Sequence, residues 1–137
     1  MYNCNLYIDW EIMGKKRILV IDDEAGQVDL LKTFLEETGQ YEVRGETQGK
    51  MALAAAKEFG PQLIILDEMM PGISGSEICT QLESEPETRD IPVVFLTGIL
   101  SKEEADSSGG EIAGRAFLAK PVSLEDLIRF VEQHVRA

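Results

Sequence analysis

Residues 63–72 read Leu63-Ile64-Ile65-Leu66-Asp67-Glu68-Met69-Met70-Pro71-Gly72: a branched apolar run closed by a carboxylate, with a Pro-Gly turn just beyond. A run without polar alternation is a strand buried on both faces, since a strand with one wet face alternates. Ile18–Ile21 is a second such run upstream and Tyr41–Arg44 a weaker one, while Val93–Leu96 and Ala116–Ala119 follow downstream. Helical faces separate them. Val28, Leu31 and Leu35 share one; Ala52, Ala55, Ala56 and Phe59 share another, ended by Gly60-Pro61; Ile78 and Leu82 define a third. The last and clearest carries Leu124, Leu127, Ile128, Val131 and Val135 after Ser123, an N-cap candidate. Five βα steps predict an α/β fold, a single doubly wound five-stranded parallel sheet with helices on both faces.

Ser107-Ser108-Gly109-Gly110 and Gly114 interrupt the pattern where a fourth helix should lead into the fifth strand. Glycine costs a helix about 1 kcal/mol relative to alanine, so the expectation is helix to about Asp106 and turn or irregular structure after it.

With 137 residues the chain has room for one domain, and 44% apolar with 28% charged residues is ordinary globular usage. Thirteen basic against 25 acidic residues leave a net charge of −12, which disfavours nucleic acid and anionic lipid as direct ligands. Cys4 and Cys79 form no CxxC pair, so neither a zinc site nor a disulfide framework is indicated and a reducing cytoplasm is expected. No apolar run reaches the roughly 20 residues that cross a bilayer, and the N-terminus lacks the pattern of a signal peptide.

Residues 1–16 have no clear period and read as an N-terminal extension, with residues 17–137 as the domain. Met13 stands just before the first strand as a candidate start of the biological chain. The alternative is an ordered arm in which Tyr7, Ile8, Trp10 and Ile12 pack on the domain or a partner.

In an open parallel sheet ligands bind outside the carboxyl ends of the strands, and four of the five strands end in chemically useful residues. Asp22, Asp23 and Glu24 follow the first strand, Asp67 the third, Thr97 the fourth and Lys120 the fifth. If the first and third strands are neighbours, three carboxylates converge. Like charges 4 Å apart repel by roughly 4 kcal/mol at an effective dielectric near 20, so such a cluster needs a cation or proton uptake. Hard oxygen donors with no His or Cys nearby in sequence suit Mg²⁺, which prefers one or two carboxylates and a phosphate. Asp67, alone on its strand, is the natural nucleophile towards phosphorus, with Lys120 and the Thr97 hydroxyl available to phosphoryl oxygens.

An acid pair after strand one, an aspartate before a Met-Pro turn, a Thr after strand four and Lys-Pro after strand five together resemble the receiver domain of two-component response regulators. The spacings are 44 residues from Asp23 to Asp67, 30 from Asp67 to Thr97 and 23 from Thr97 to Lys120, and the resemblance covers residues 17–136. It implies a flavodoxin-like sheet of strand order 2-1-3-4-5. It further implies that Asp67 is phosphorylated, that Asp23 is a direct Mg²⁺ ligand and Asp22 a ligand through water, and that the Met69 backbone carbonyl is another. Thr97 and Phe117 would be the switch pair, the hydroxyl moving toward the phosphoryl group and the ring swinging inward behind it. Met69 and Ile99 would tune access of the hydrolytic water. A histidine kinase or phosphotransfer protein would be the donor. Only Ala137 follows the last helical turn, so the expected output is binding to a partner protein of unknown identity, unless the sequence is a piece of a longer chain.

Two other classes remain open. One is a Mg²⁺-dependent phosphatase with an aspartyl nucleophile; such enzymes usually carry a second acid two residues after the nucleophile, where this chain has Met69. The other is an interaction module on the receiver scaffold that works without phosphorylation. Phe117 also has an ordinary reading, as strand core.

Overall fold

The structure, a computed structural model, describes residues 14–97, 111–112, 115–119 and 123–136; Met69, Thr97, Glu111, Ile112 and Arg115 are described by their backbone. In chain order the elements are β1 (Lys16–Ile21), α1 (Ala25–Glu37), β2 (Tyr41–Glu46), a 3-10 turn (Gly49–Met51), α2 (Ala52–Phe59), β3 (Leu63–Asp67), the short β4 (Met69–Met70) and β5 (Ile73–Ser74), α3 (Gly75–Glu83), β6 (Val93–Thr97), β7 (Glu111–Ile112), β8 (Arg115–Ala119) and α4 (Leu124–His134). The large sheet runs β2-β1-β3-β6-β8-β7. Its first five strands pair in parallel, which is the expected order 2-1-3-4-5.

Two features correct the expectation. The sheet has a sixth strand: Glu111 and Ile112 run antiparallel to β8, opposite Ala116 and Arg115, where turn or irregular structure was expected. β8 would otherwise present open backbone donors and acceptors, and two residues of pairing cover part of that edge; so short a strand has no hydrophobic period to read. The second is the β4–β5 ribbon, described below. The expected fourth helix, ending at about Asp106, and residues 1–13 of the N-terminal extension lie outside the described residues.

Alternation along each strand divides the core into two layers. Leu19, Ile21, Ile64, Leu66, Phe95 and Phe117 face Ala52, Ala55 and Ala56 of α2 and Ile78, Cys79 and Leu82 of α3. Ile18, Val20, Leu63, Ile65, Val94 and Leu96 face Val28, Leu31 and Leu35 of α1 and Leu127 and Val131 of α4. Helices cover both faces, so the central strands have no wet side, which is why their sequences are continuously apolar. Ser123 caps α4 as expected, its side chain accepting from the Asp126 N–H at 3.1 Å. No described helix is long and apolar enough to cross a membrane.

Tyr41 opens edge strand β2 and is 3% exposed. Burial first, and then the Glu132 carboxylate, push its phenol up from the ordinary value. The folded state therefore favours the neutral phenol, a contribution fully present below the unfolded value of about 10 and lost as pH rises through the higher folded one. Between neutral pH and strong alkali the urea midpoint of the wild type is expected to fall more steeply than that of Tyr41→Phe; parallel slopes would remove Tyr41 from the alkaline transition.

Candidate functional site

The register of β1 on β3 sets Ile21 beside Leu66, so Asp22 and Asp67 follow at the same level on neighbouring strands. The Asp22 N–H donates to the Glu46 carbonyl at 3.1 Å, extending the sheet by one rung, and Asp22 Oδ1 accepts from the Glu24 N–H at 3.0 Å. That turn sends the chain into α1 with Glu24 as its N-cap and turns Asp23 outward. One carboxylate oxygen each from Asp22, Asp23 and Asp67 lies within 4.8 Å of the others. Asp22 is 1% exposed and Asp67 7%, whereas Asp23 is exposed, so the group has a buried floor and a solvent-facing lip.

Burial argues against reading Asp22 and Asp67 as solvated turn or helix-start acids. Two nearly buried carboxylates beside a third call for a cation, and the donor set is all oxygen, with no His or Cys in the group. These residues fit Mg²⁺ and would suit a thiolate- or imidazole-preferring metal poorly.

The chain beyond Asp67 is held by the ribbon. Met69 pairs with Ser74 and Met70 with Ile73 around Pro71-Gly72, and Gly72 takes φ 81°, a left-handed turn position that glycine adopts freely. Ser74 then caps α3: its Oγ accepts from the Glu77 N–H at 3.1 Å, and the Glu77 carboxylate accepts from the Ser74 N–H at 3.4 Å. A Cβ on Gly75 would stand 3.1 Å from the Asp67 carbonyl oxygen and from Glu68 Cα, so glycine lets α3 start hard against the end of β3. Ser74→Ala is expected to lower stability by about 1 kcal/mol through loss of this cap, read as a reduced urea midpoint with unchanged slope.

The remaining expected residues fall as follows. Leu96 is level with Asp67 and Thr97 is the next residue of β6, paired with Ala119, so the backbones of Thr97 and Asp67 end adjacent strands together. The Thr97 side chain is outside the described residues, as are Lys120, the residue after Ala119, and Ile99. Met69 is placed by its backbone in β4. Phe117 is 3% exposed in the layer with Phe95, α2 and α3, a position that serves either of its two readings.

Sequence reasoning missed Lys50, which lines a cleft with Asp23, Thr47, Gln48, Gly49, Met70 and Pro71. No motif marks the β2–α2 connection; only folding brings it beside the acid group.

Residues 18–132 match the family described as response regulator receiver domain. Among curated proteins the chain is 31% identical over 134 residues to a probable cyclic di-GMP phosphodiesterase of Vibrio cholerae, covering 98% of this chain and 30% of that protein. It is 40% identical to the response regulator PleD of Caulobacter vibrioides, covering 83% of this chain and 24% of that one. To protein PilH of Pseudomonas aeruginosa it is 33% identical, over 84% of this chain and 93% of PilH. The chain thus spans less than a third of the first two relatives. Among solved structures, chemotaxis protein CheY4 of Vibrio cholerae superposes with a TM-score of 0.73 at 26% identity, over 87% of this chain and 98% of that one. The receiver domain of a signal transduction histidine kinase from Syntrophus aciditrophicus gives 0.70 at 32% identity, over 86% and 88%. The chain belongs to the response regulator receiver domain family, and its sheet is that of the CheY-like members. Receiver domains are signalling modules.

Proposed function

We propose that this chain receives a phosphoryl group on Asp67 in a Mg²⁺-dependent reaction and signals by a change of shape that a partner protein reads. The observation that carries this is the convergence of Asp22, Asp23 and Asp67 within 4.8 Å at the carboxyl ends of two adjacent parallel strands. The donor is a phosphohistidine on a histidine kinase or phosphotransfer protein. An Asp67 carboxylate oxygen attacks phosphorus, an O–P bond forms, and the P–N bond breaks with its electron pair going to the ring nitrogen. Water later returns carboxylate and inorganic phosphate.

Asp22, Asp23, Asp67 and the Met69 carbonyl would hold the metal, Asp22 through a water. Bound Mg²⁺ supplies positive charge at the phosphoryl oxygens and offsets repulsion among the carboxylates. Asp22 is oriented for this by the Glu24 N–H. Lys120 and the Thr97 hydroxyl take the other phosphoryl oxygens, an assignment supported by the family pattern and by Thr97 ending the strand beside Asp67. Movement of that hydroxyl is coupled to Phe117, whose burial supports an inward place for the ring.

The family match over residues 18–132 supports residues 17–137 as the domain and 1–16 as an extension, and PilH, of which the chain covers 93%, supports the receiver as the working unit. In this reading it acts in the cytoplasm through a separate output protein. The net charge of −12 supports a protein partner over nucleic acid. The receiver modifies only itself: Met69 stands where an aspartyl phosphatase would place its second acid. Incubation with acetyl phosphate and Mg²⁺ followed by intact mass tests the reading. One phosphoryl adduct is expected; continuous turnover of donor without an accumulating adduct would favour the phosphatase, and no adduct in any condition the inert module.

A further inference from the structure

We propose that Lys50 is the cation that captures the phosphodonor, attracting a small phosphoryl dianion into the cleft beside Asp23; this rests on Asp67 being the phosphoacceptor. The cleft, of about 270 Å³, is lined by Asp23, by the β2–α2 connection (Thr47 to Lys50) and by Met70 and Pro71. That is room for an acyl phosphate or phosphoramidate.

Electrostatics sets the problem. Asp22, Asp23, Glu24, Glu46, Asp67 and Glu68 all stand at or just past the carboxyl ends of β1, β2 and β3. A phosphoryl dianion approaching this rim is repelled, each like-charge pair at 5 Å costing roughly 3 kcal/mol at an effective dielectric of 20. A divalent ion offsets only part of that. Lys50 is the one cation among the described residues lining the cleft.

Its placement is built in. Gly49 is buried, and a Cβ there would stand 2.6 Å from Ile73 Cγ2, so the 3-10 turn carrying Lys50 is seated directly on β5. At Gly72 a Cβ would stand 3.6 Å from Lys50 Cε and 3.9 Å from Nζ, so the lysine chain lies across the Pro71-Gly72 turn. Despite the surrounding acids, Lys50 forms no ion pair with any described residue. An ammonium beside the acid group and engaged by none of its carboxylates is available to an incoming anion. Because the attraction acts on the bound donor before transfer, it governs capture more than the limiting rate.

The test measures phosphorylation of the full chain by intact mass against acetyl phosphate concentration, at saturating Mg²⁺ so that altered metal affinity cannot imitate the effect. At low salt Lys50→Ala is expected to raise the half-saturating donor concentration about 3- to 10-fold and Lys50→Glu further, with Lys50→Arg near wild type. The limiting rate and the rate of phosphoryl loss stay unchanged. In about 0.5 M salt, where the Debye length is about 4 Å, the differences shrink. Phosphoramidate, which shares only the phosphoryl group with acetyl phosphate, should show the same ordering. Wild-type rates for both Lys50→Ala and Lys50→Glu would overturn the role of Lys50 while leaving Asp67 as acceptor; so would an effect confined to acetyl phosphate. No adduct even on wild type would overturn the acceptor reading and this inference with it.

Discussion

Asp67→Asn eliminates the phosphoryl adduct, lowering its yield on the order of 10²-fold or more, while the protein remains folded. The amide matches the carboxylate in shape but offers no anionic oxygen to attack phosphorus, so the loss falls on the chemical step. Asp67 is 7% exposed at the end of β3, and an isosteric replacement leaves the layer of Ile64, Leu66 and Phe95 intact. Intact mass after acetyl phosphate and Mg²⁺, with a thermal melt on the same sample, checks both halves. An adduct retained by Asp67→Asn would move the acceptor to another side chain, Asp22 and Asp23 being the nearest, and would require the family assignment of residue 67 to be abandoned for this chain.

Asp23→Asn is expected to reverse sign with the metal. Without Mg²⁺ the three carboxylates are mutually repulsive, and Asp23 is the exposed member, so solvent screening reduces the gain from neutralising it to the order of 1 kcal/mol. In EDTA the variant should melt about 3–5 °C above wild type. With Mg²⁺ the order inverts. A ligand present at 100 times its dissociation constant stabilises the folded chain by about 2.7 kcal/mol, and the variant, short of one carboxylate, loses at least about tenfold in affinity and with it about half or more of that gain. Phosphorylation slows in parallel. Equal response of both proteins to Mg²⁺ would place the metal elsewhere.

The apolar runs at residues 18–21, 63–66 and 93–96 could be read as doubly buried strands because helices do cover both faces of β1, β3 and β6. Asp22 and Asp67 were legible as a pair for a related reason: each closes an apolar run, and parallel neighbours bring such ends to one rim. The ribbon of Met69–Met70 with Ile73–Ser74, the strand Glu111–Ile112 and the cleft-lining Lys50 were not. Two-residue strands form on backbone pairing offered by an element already in place, which leaves no side-chain period. Lys50 acquires a neighbour in Pro71-Gly72 only because Gly49 seats its turn on Ile73.

Chain order alone thus determined the α/β class, the two helical faces and the acid-bearing strand ends, because hydrophobic periodicity and strand termini are local properties. Tertiary structure decided which carboxylates are buried, that their oxygens come within 4.8 Å, and which cation stands beside them, because burial, distance and field are set by segments remote in sequence that meet only when the sheet closes.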